Sequence, residues 1–174
     1  MILKSLLLLS FLYLINTKDC PKTLMYYFHS SRMACFPILT NKCTIGNEER
    51  FNTNEECSRR RIPMDFNMCA ANSPSIKRSN GESHCFIEGP EADNTKCPEG
   101  SICNYGFRVG ICCDKNIEDR YNEEAKATCP NGKKFVVNPN SDFGRPFFGK
   151  ECSHEFCPSD SKCQQGKYLA WCCK

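Results

Sequence analysis

The chain has 174 residues, 16 of them Cys, with a formal net charge of only +3 and a mean hydropathy of −0.50. A cysteine share of about nine per cent belongs to disulfide scaffolds, in which cross-links replace part of the single large core that so polar a sequence cannot build. The small net charge excludes a charge-driven nucleic-acid binder: it runs +3 over 18–61 (8 basic, 5 acidic), −4 over 62–128 (7 basic, 11 acidic) and +3 over 129–174 (7 basic, 4 acidic), the alternation of a solvated surface.

At the N-terminus, Lys4 precedes the apolar run Leu6-Leu7-Leu8-Leu9-Ser10-Phe11-Leu12-Tyr13-Leu14-Ile15, and polar Asn16-Thr17-Lys18 follows. These are the n-region, h-region and exit of a signal peptide, predicted to occupy 1–17 and to be cleaved near Thr17. The run is well short of the roughly 20 residues that span a bilayer, and no second such run follows. The mature chain is therefore expected to be secreted and extracellular, without a membrane span. In an oxidising compartment its cysteines pair, and their even number leaves none over.

The next segment, 18–61, holds Cys20, Cys35, Cys43 and Cys57. Tyr26-Tyr27-Phe28-His29 is aromatic and predicts a strand. Phe51-Asn52-Thr53-Asn54-Glu55-Glu56-Cys57 predicts a helix start, with Thr53 as N-cap, Glu56 as its capping-box partner and Phe51 folding back over the helix. Arg59-Arg60-Arg61 then falls at the helix C-terminus, where positive charge is favourable.

These two stretches resemble the Kunitz-type protease-inhibitor family, which places a Tyr-Phe-Tyr-Asn-like segment at the start of a twisted hairpin and a Phe-x-x-x-x-x-Cys signature on a C-terminal helix. The resemblance implies pairing of Cys20 with Cys43 and of Cys35 with Cys57. The family's third bridge loses both partners: one position lies inside the signal peptide and the other is Arg61. It also implies that the residues after Cys20 face a protease, making Pro21 and Lys22 the candidate contact residues. Several positions depart from the family. Asn41 and Lys42 replace its glycines, Ile38 and Thr40 its aromatic pair, and the span from Cys20 to Cys35 is one residue short. Pro21 takes the specificity-determining place, with almost no mature chain before it to brace the loop. Weak inhibition, or none, is the expectation, with Lys22 as the residue that would enter an acidic specificity pocket.

Beyond Pro63 the chain repeats itself. Cys97-Pro98-Glu99-Gly100-Ser101-Ile102-Cys103 matches Cys157-Pro158-Ser159-Asp160-Ser161-Lys162-Cys163, and each continues with Cys-x2-Gly-x5-Cys-Cys, ending at Cys112-Cys113 and Cys172-Cys173. The upstream cysteines complete two sets of six: Cys69, Cys85, Cys97, Cys103, Cys112, Cys113 and Cys129, Cys152, Cys157, Cys163, Cys172, Cys173. Four, six and six cysteines give each unit an even number. The predicted organisation is a Kunitz-like domain over 18–61, a first repeat over 62–113, a linker over 114–128 and a second repeat over 129–174.

Within each repeat the vicinal cysteines are expected to reach different partners, because a vicinal bridge is strained, although 15 connectivities per repeat stay open. Gly106 and Gly166 are read as positive-φ turn residues. Phe107-Arg108-Val109-Gly110-Ile111 and Lys167-Tyr168-Leu169-Ala170-Trp171 are read as hairpin strands, as is Phe135-Val136-Val137, with a core of Phe143, Phe147 and Phe148. Ile117, Tyr121 and Ala125 suggest a short helix in the linker, resting on its neighbours. The frame resembles the lustrin-type cysteine-rich repeat of invertebrate extracellular proteins, which implies a mainly β and loop fold and leaves activity open. The expected fold class is thus a small disulfide-rich multi-module protein: an α+β Kunitz-like module followed by two such repeats.

The sequence offers little to catalysis. His29, His84 and His154 are the neutral-pH bases, and none sits in a nucleophile motif. Cys152-Ser153-His154-Glu155-Phe156-Cys157 has zinc-like spacing, but an oxidising compartment turns these cysteines toward disulfides. Glu48-Glu49 and Glu123-Glu124 are read as solvated pairs. No enzyme activity, cofactor or metal is expected. Two functions from different classes remain: an extracellular protein-binding or matrix-associated module, and a serine-type endopeptidase inhibitor acting through the Kunitz-like domain. The corresponding partner is a matrix component or a serine protease.

Overall fold

The computed structural model describes residues 21–41, 49–63, 67–89, 96–141 and 143–174. The signal-peptide reading of 1–17, together with Cys20, Cys43 and their pairing, lies outside the described residues. What is described is a small disulfide-rich α+β protein with seven bridges, and no described cysteine is free.

Strands β1 (Lys22–His29) and β2 (Ala34–Asn41) form an antiparallel hairpin in unbroken register from Lys22 opposite Asn41 to His29 opposite Ala34. A 3-10 turn, Ser30–Arg32, joins them and closes on Met33 in the left-handed region. Helix α1 (Asn54–Arg61) starts where Thr53 accepts the Glu56 N–H at 3.1 Å. The Glu56 carboxylate reaches back one residue further than expected, to the Asn52 N–H at 3.3 Å. Phe51 exchanges two 2.8 Å backbone hydrogen bonds with Tyr26 and, with Tyr26, Cys35 and Cys57, forms the buried cluster that fixes helix to hairpin. The Cys35–Cys57 bridge runs through that cluster.

Two three-stranded antiparallel sheets follow, built alike. In the first, β3 (His84–Ile87), β5 (Val109–Asp114) and β4 (Ser101–Tyr105) lie in that order; in the second, β6 (Phe148–Gly149), β8 (Ala170–Cys173) and β7 (Lys162–Gln165) do. Their bridges correspond. Cys69–Cys113, Cys97–Cys112 and Cys85–Cys103 in the first match Cys129–Cys173, Cys157–Cys172 and Cys152–Cys163 in the second. Successive residues on a strand point to opposite faces, so each vicinal pair on a central strand anchors chain on both sides of its sheet.

Several expectations need correcting. Phe107-Arg108 and Lys167-Tyr168 are turns, not strand. The Gly106 N–H donates to Val109 O at 2.9 Å and the Gly166 N–H to Leu169 O at 2.7 Å, closing each loop around two residues. Neither glycine has positive φ; what each needs is room. A Cβ on Gly106 would stand 2.9 Å from the Asn67 carboxamide, and one on Gly166 would stand 2.5 Å from the Glu124 carboxyl. Phe135-Val136-Val137 is not a continuous strand: Phe135 bridges to Cys173 and Val137 to Pro146. The core of the second sheet is Val136, Phe147, Phe156, Ala170 and Cys172, with Phe147 and Phe156 edge-on at 5.4 Å. Phe148 is half-buried, and Phe143 is 83% exposed because it sits in the loop beyond Pro139.

Helix α2 (Lys115–Ala125) fills the linker, capped by the Asp114 carboxylate accepting the N–H groups of Asn116 and Ile117 at 2.8 and 3.1 Å. Its apolar stripe is weaker than expected, since Ile117 and Tyr121 are half-buried and Ala125 is exposed. The helix is held instead by two buried carboxylates, Glu118 and Glu124. Among the described residues, no helix is long and apolar enough to cross a membrane.

Candidate functional site

The end of the hairpin near Pro21 is where the sequence placed a protease contact. Pro21 is exposed, and it alone separates Cys20 from the β ladder, which takes in Lys22 as its first residue. Lys22 does not stand clear of the body. Its Nζ donates to Glu155 Oε2 at 2.5 Å, with the two side chains 54% and 59% exposed. Hydrogen bonding and charge from Lys22 hold the Glu155 carboxyl below its usual range. Glu155 is aimed by the 3-10 turn Cys152–His154, which ends with Glu155 itself in the left-handed region at φ 48°.

The seam continues along β1. Leu24 packs against the core of the second sheet, and the Tyr26 hydroxyl accepts from Asn140 Nδ2 at 3.3 Å. The Tyr27 ring stands edge-on to His154 with centroids 5.4 Å apart, and its hydroxyl lies 3.5 Å from His154 Nδ1. His154 Nε2 is 3.2 Å from Glu151 Oε1. Burial lowers the His154 pKa below its ordinary 6.5; Glu151 opposes that effect, and Lys150 and Arg50 reinforce it. His29, whose Nδ1 lies 3.1 Å from Ser31 Oγ, is lowered by burial and by the charges of Lys150 and Arg32.

A second seam runs along α2. Glu118 Oε1 accepts the Ala70 N–H at 2.6 Å. Glu124 accepts three consecutive backbone N–H groups, from Lys167, Tyr168 and Leu169, at 2.8, 2.8 and 2.9 Å, as well as Arg120 Nε at 3.0 Å. Burial pushes the Glu124 carboxyl up, but these donors outweigh it and hold the group below its usual range. The reading of Glu123-Glu124 as a solvated pair therefore holds only for Glu123, which is 67% exposed and pairs with Lys126.

Among the described residues, two side-chain groups cluster as metal ligands would, Cys85 with Cys97 and Cys103, and Cys69 with Cys113 and Glu118. Their sulfurs are all engaged in disulfides, so they offer no thiolate to an ion. The zinc-like spacing from Cys152 to Cys157 resolves the same way, the two cysteines bonding to Cys163 and Cys172.

The hairpin, its helix and their shared bridge set the frame for comparison with known proteins. The chain is 35% identical over 150 residues to the BPTI/Kunitz inhibitor domain-containing protein C02F12.5 of Caenorhabditis elegans, covering 86% of this chain and 78% of the relative. The chain belongs to the BPTI/Kunitz inhibitor domain-containing family. It is also 34% identical over 129 residues to Major allergen Ani s 1 of Anisakis simplex, covering 74% of this chain and 65% of that protein. No family model matches the chain, and no solved structure matches it. The longer similarity cannot be confined to the Kunitz-like segment, because 150 matched residues must run well past residue 61.

Within this Kunitz-family chain, His154 and Glu155 are residues that sequence reading passed over as partners of the hairpin. The signal was the segment between Cys152 and Cys157. Once its cysteines are committed to bridges, its polar side chains are free to turn toward β1.

Proposed function

We propose that this chain is a secreted, non-enzymatic protein that engages another extracellular protein through rigid disulfide-framed surfaces, its Kunitz-like hairpin serving as scaffold and not as a tight protease inhibitor. The observation that carries this reading is the state of Lys22, which is paired in the β ladder and ion-paired to Glu155. A protease-binding loop works by standing off the body in a preformed shape, so that little ordering entropy is lost on binding. Here only Pro21 precedes the ladder, and proline has neither the side-chain reach nor the backbone N–H for strand-like pairing with a protease.

The organisation proposed with it is a cleaved signal peptide over 1–17, a Kunitz-like domain over 18–61, lustrin-type repeats over 62–113 and 129–174, and a helical linker over 114–128. The matching bridge pattern and strand order of the two sheets support the repeat assignment. For the partner, the relatives lend support on the protease side and none to a matrix component.

The second reading, inhibition of a serine protease with Pro21 and Lys22 at the contact, is favoured by the name of the nematode relative, a Kunitz inhibitor domain-containing protein. Titrating the purified mature chain against trypsin-like and chymotrypsin-like proteases separates the two. Inhibition absent or weak is expected. A dissociation constant in the nanomolar range, about −12 kcal/mol, would replace the first reading with the second.

A further inference from the structure

Two adjoining cavities, about 530 and 420 Å³, open on one face of the molecule and share Arg61. Arg50, Arg61, Lys150, His29 and His154 line the larger, with Glu49 and Glu151 as its acidic residues among the described ones. The smaller is lined by Arg59, Arg60 and Arg61, with Ile62 and Pro63. The basic groups come from separate parts of the chain: the residue before Phe51, the C-terminal turn of α1, and the segment after β6. No sequence run announces them as one set.

The carboxylates on this face are shared thinly. Glu151 serves both Lys150 at 3.0 Å and His154 at 3.2 Å; Glu49 lies 3.3 Å from Arg61, and Glu56 lies 3.3 Å from Arg60. The Glu49–Arg61 and Glu56–Arg60 pairs are solvent-exposed and of the kind worth little, so an incoming anion can replace them at small cost. The aromatic rings at the larger cavity are covered by cations, with Arg50 over Tyr27 at 5.4 Å and Arg61 over Phe28 at 5.1 Å. The exposed large apolar side chains, Phe107 and Phe143 foremost, line neither cavity.

We propose that this face binds a sulfated polysaccharide. It offers positive charge over two cavities in series, which fits a chain carrying repeated anions better than a single ion. Guanidinium groups suit the fork geometry of tetrahedral oxyanions. An acidic protein segment would look for apolar or aromatic anchor pockets, and here the rings already carry the protein's own arginines. Pro21 and Lys22 line neither cavity, so the proposal stands apart from the question of protease inhibition.

The test is isothermal titration of the full chain with a heparin-derived hexasaccharide, in low and in high salt, beside inorganic sulfate and a polyglutamate peptide of similar charge. The hexasaccharide should bind in low salt and weaken by about tenfold or more in high salt, as screening requires. Inorganic sulfate and polyglutamate should bind far more weakly. Arg59→Gln combined with Lys150→Gln should weaken hexasaccharide binding by about tenfold, as expected when two attractive charges are lost. Arg59→Lys with Lys150→Arg should retain binding, which separates charge from folding, and Arg108→Gln, outside both cavities, should change nothing. Absence of hexasaccharide binding in low salt would overturn the proposal. So would polyglutamate binding as tightly as the hexasaccharide, or an Arg108→Gln loss equal to that of the double variant.

Discussion

Glu124 holds the turn of the second sheet by a device with a measurable pH signature. Its side chain is 4% exposed and accepts the N–H groups of residues 167, 168 and 169, so Glu124→Gln keeps the shape but loses the charge that three backbone donors and Arg120 converge on. A loss of about 2–3 kcal/mol is expected, the scale for hydrogen bonds to a charged group, read as a lower urea midpoint at neutral pH. Because the folded carboxyl sits below its usual range, its stabilisation is present above the ordinary carboxylate pKa and disappears as pH falls through the folded value. The wild-type and Glu124→Gln stabilities should therefore converge in acid. A constant difference between them at all pH values would show that packing, and not charge, is responsible. Gly166 tests the same turn from the other side. Gly166→Ala would place a Cβ 2.5 Å from the Glu124 carboxyl, and a destabilisation of about 1–3 kcal/mol is expected from overpacking. In Glu124→Ala the carboxyl clash is gone, so Gly166→Ala should cost less in that background, with the remaining cost coming from the Leu169 carbonyl oxygen 2.9 Å from the added Cβ.

Among the elements, those with a strong local cause were legible in the sequence. Thr53 and Phe51 located the start of α1, the aromatic run Tyr26-Tyr27-Phe28-His29 located β1, and the repeated Cys-x2-Gly-x5-Cys-Cys frame located β4–β5 and β7–β8 as equivalent hairpins. What was not legible depends on contacts far along the chain. Gly106 and Gly166 leave room for distant Asn67 and Glu124 as well as for the nearby carbonyls of Val109 and Leu169, and glycine reads the same in a sequence whether it supplies a dihedral angle or space. Phe143 and Phe156 exchanged places for a similar reason: both are aromatic, and only the course of the chain through the Cys152 and Cys157 bridges turns Phe156 inward. The pairing of Lys22 with Glu155 spans 133 residues and has no local signature. For the α1 unit, removal of the Cys35–Cys57 bridge by double Ala substitution should cost about 3 kcal/mol on chain-entropy grounds for a loop of this length, since the bridge closes a separation of 22 residues through the buried Tyr26–Phe51 cluster. Thermal unfolding of the variant measures this, and an unchanged midpoint would show that the cluster alone carries the unit.

At the scale of the whole molecule, polar seams join the units alongside the packing of Leu24 on the core of the second sheet. Lys22–Glu155 and Tyr27–His154 link the hairpin to the turn that follows β6, while Glu118 links α2 to Ala70 and Glu124 links it to the turn before β8. The histidines in and beside the hairpin seam, His29 and His154, have folded pKa values lowered from 6.5 by burial first. The unfolded chain therefore takes up protons there before the folded one does. Stability should fall as pH drops through about 6.5, before the carboxylate-linked loss begins. Melting temperature followed against pH should show this earlier step, and His154→Gln should reduce it.

On the proposed reading, the hairpin end that would face a protease is instead drawn into the ladder and the Lys22–Glu155 pair. The inhibition constant of the purified mature chain against a trypsin-like protease, measured beside Lys22→Ala, tests this most directly. Weak or absent inhibition, unaltered by Lys22→Ala, is the expected result. Inhibition in the nanomolar range that Lys22→Ala abolishes without lowering the melting temperature would contradict it.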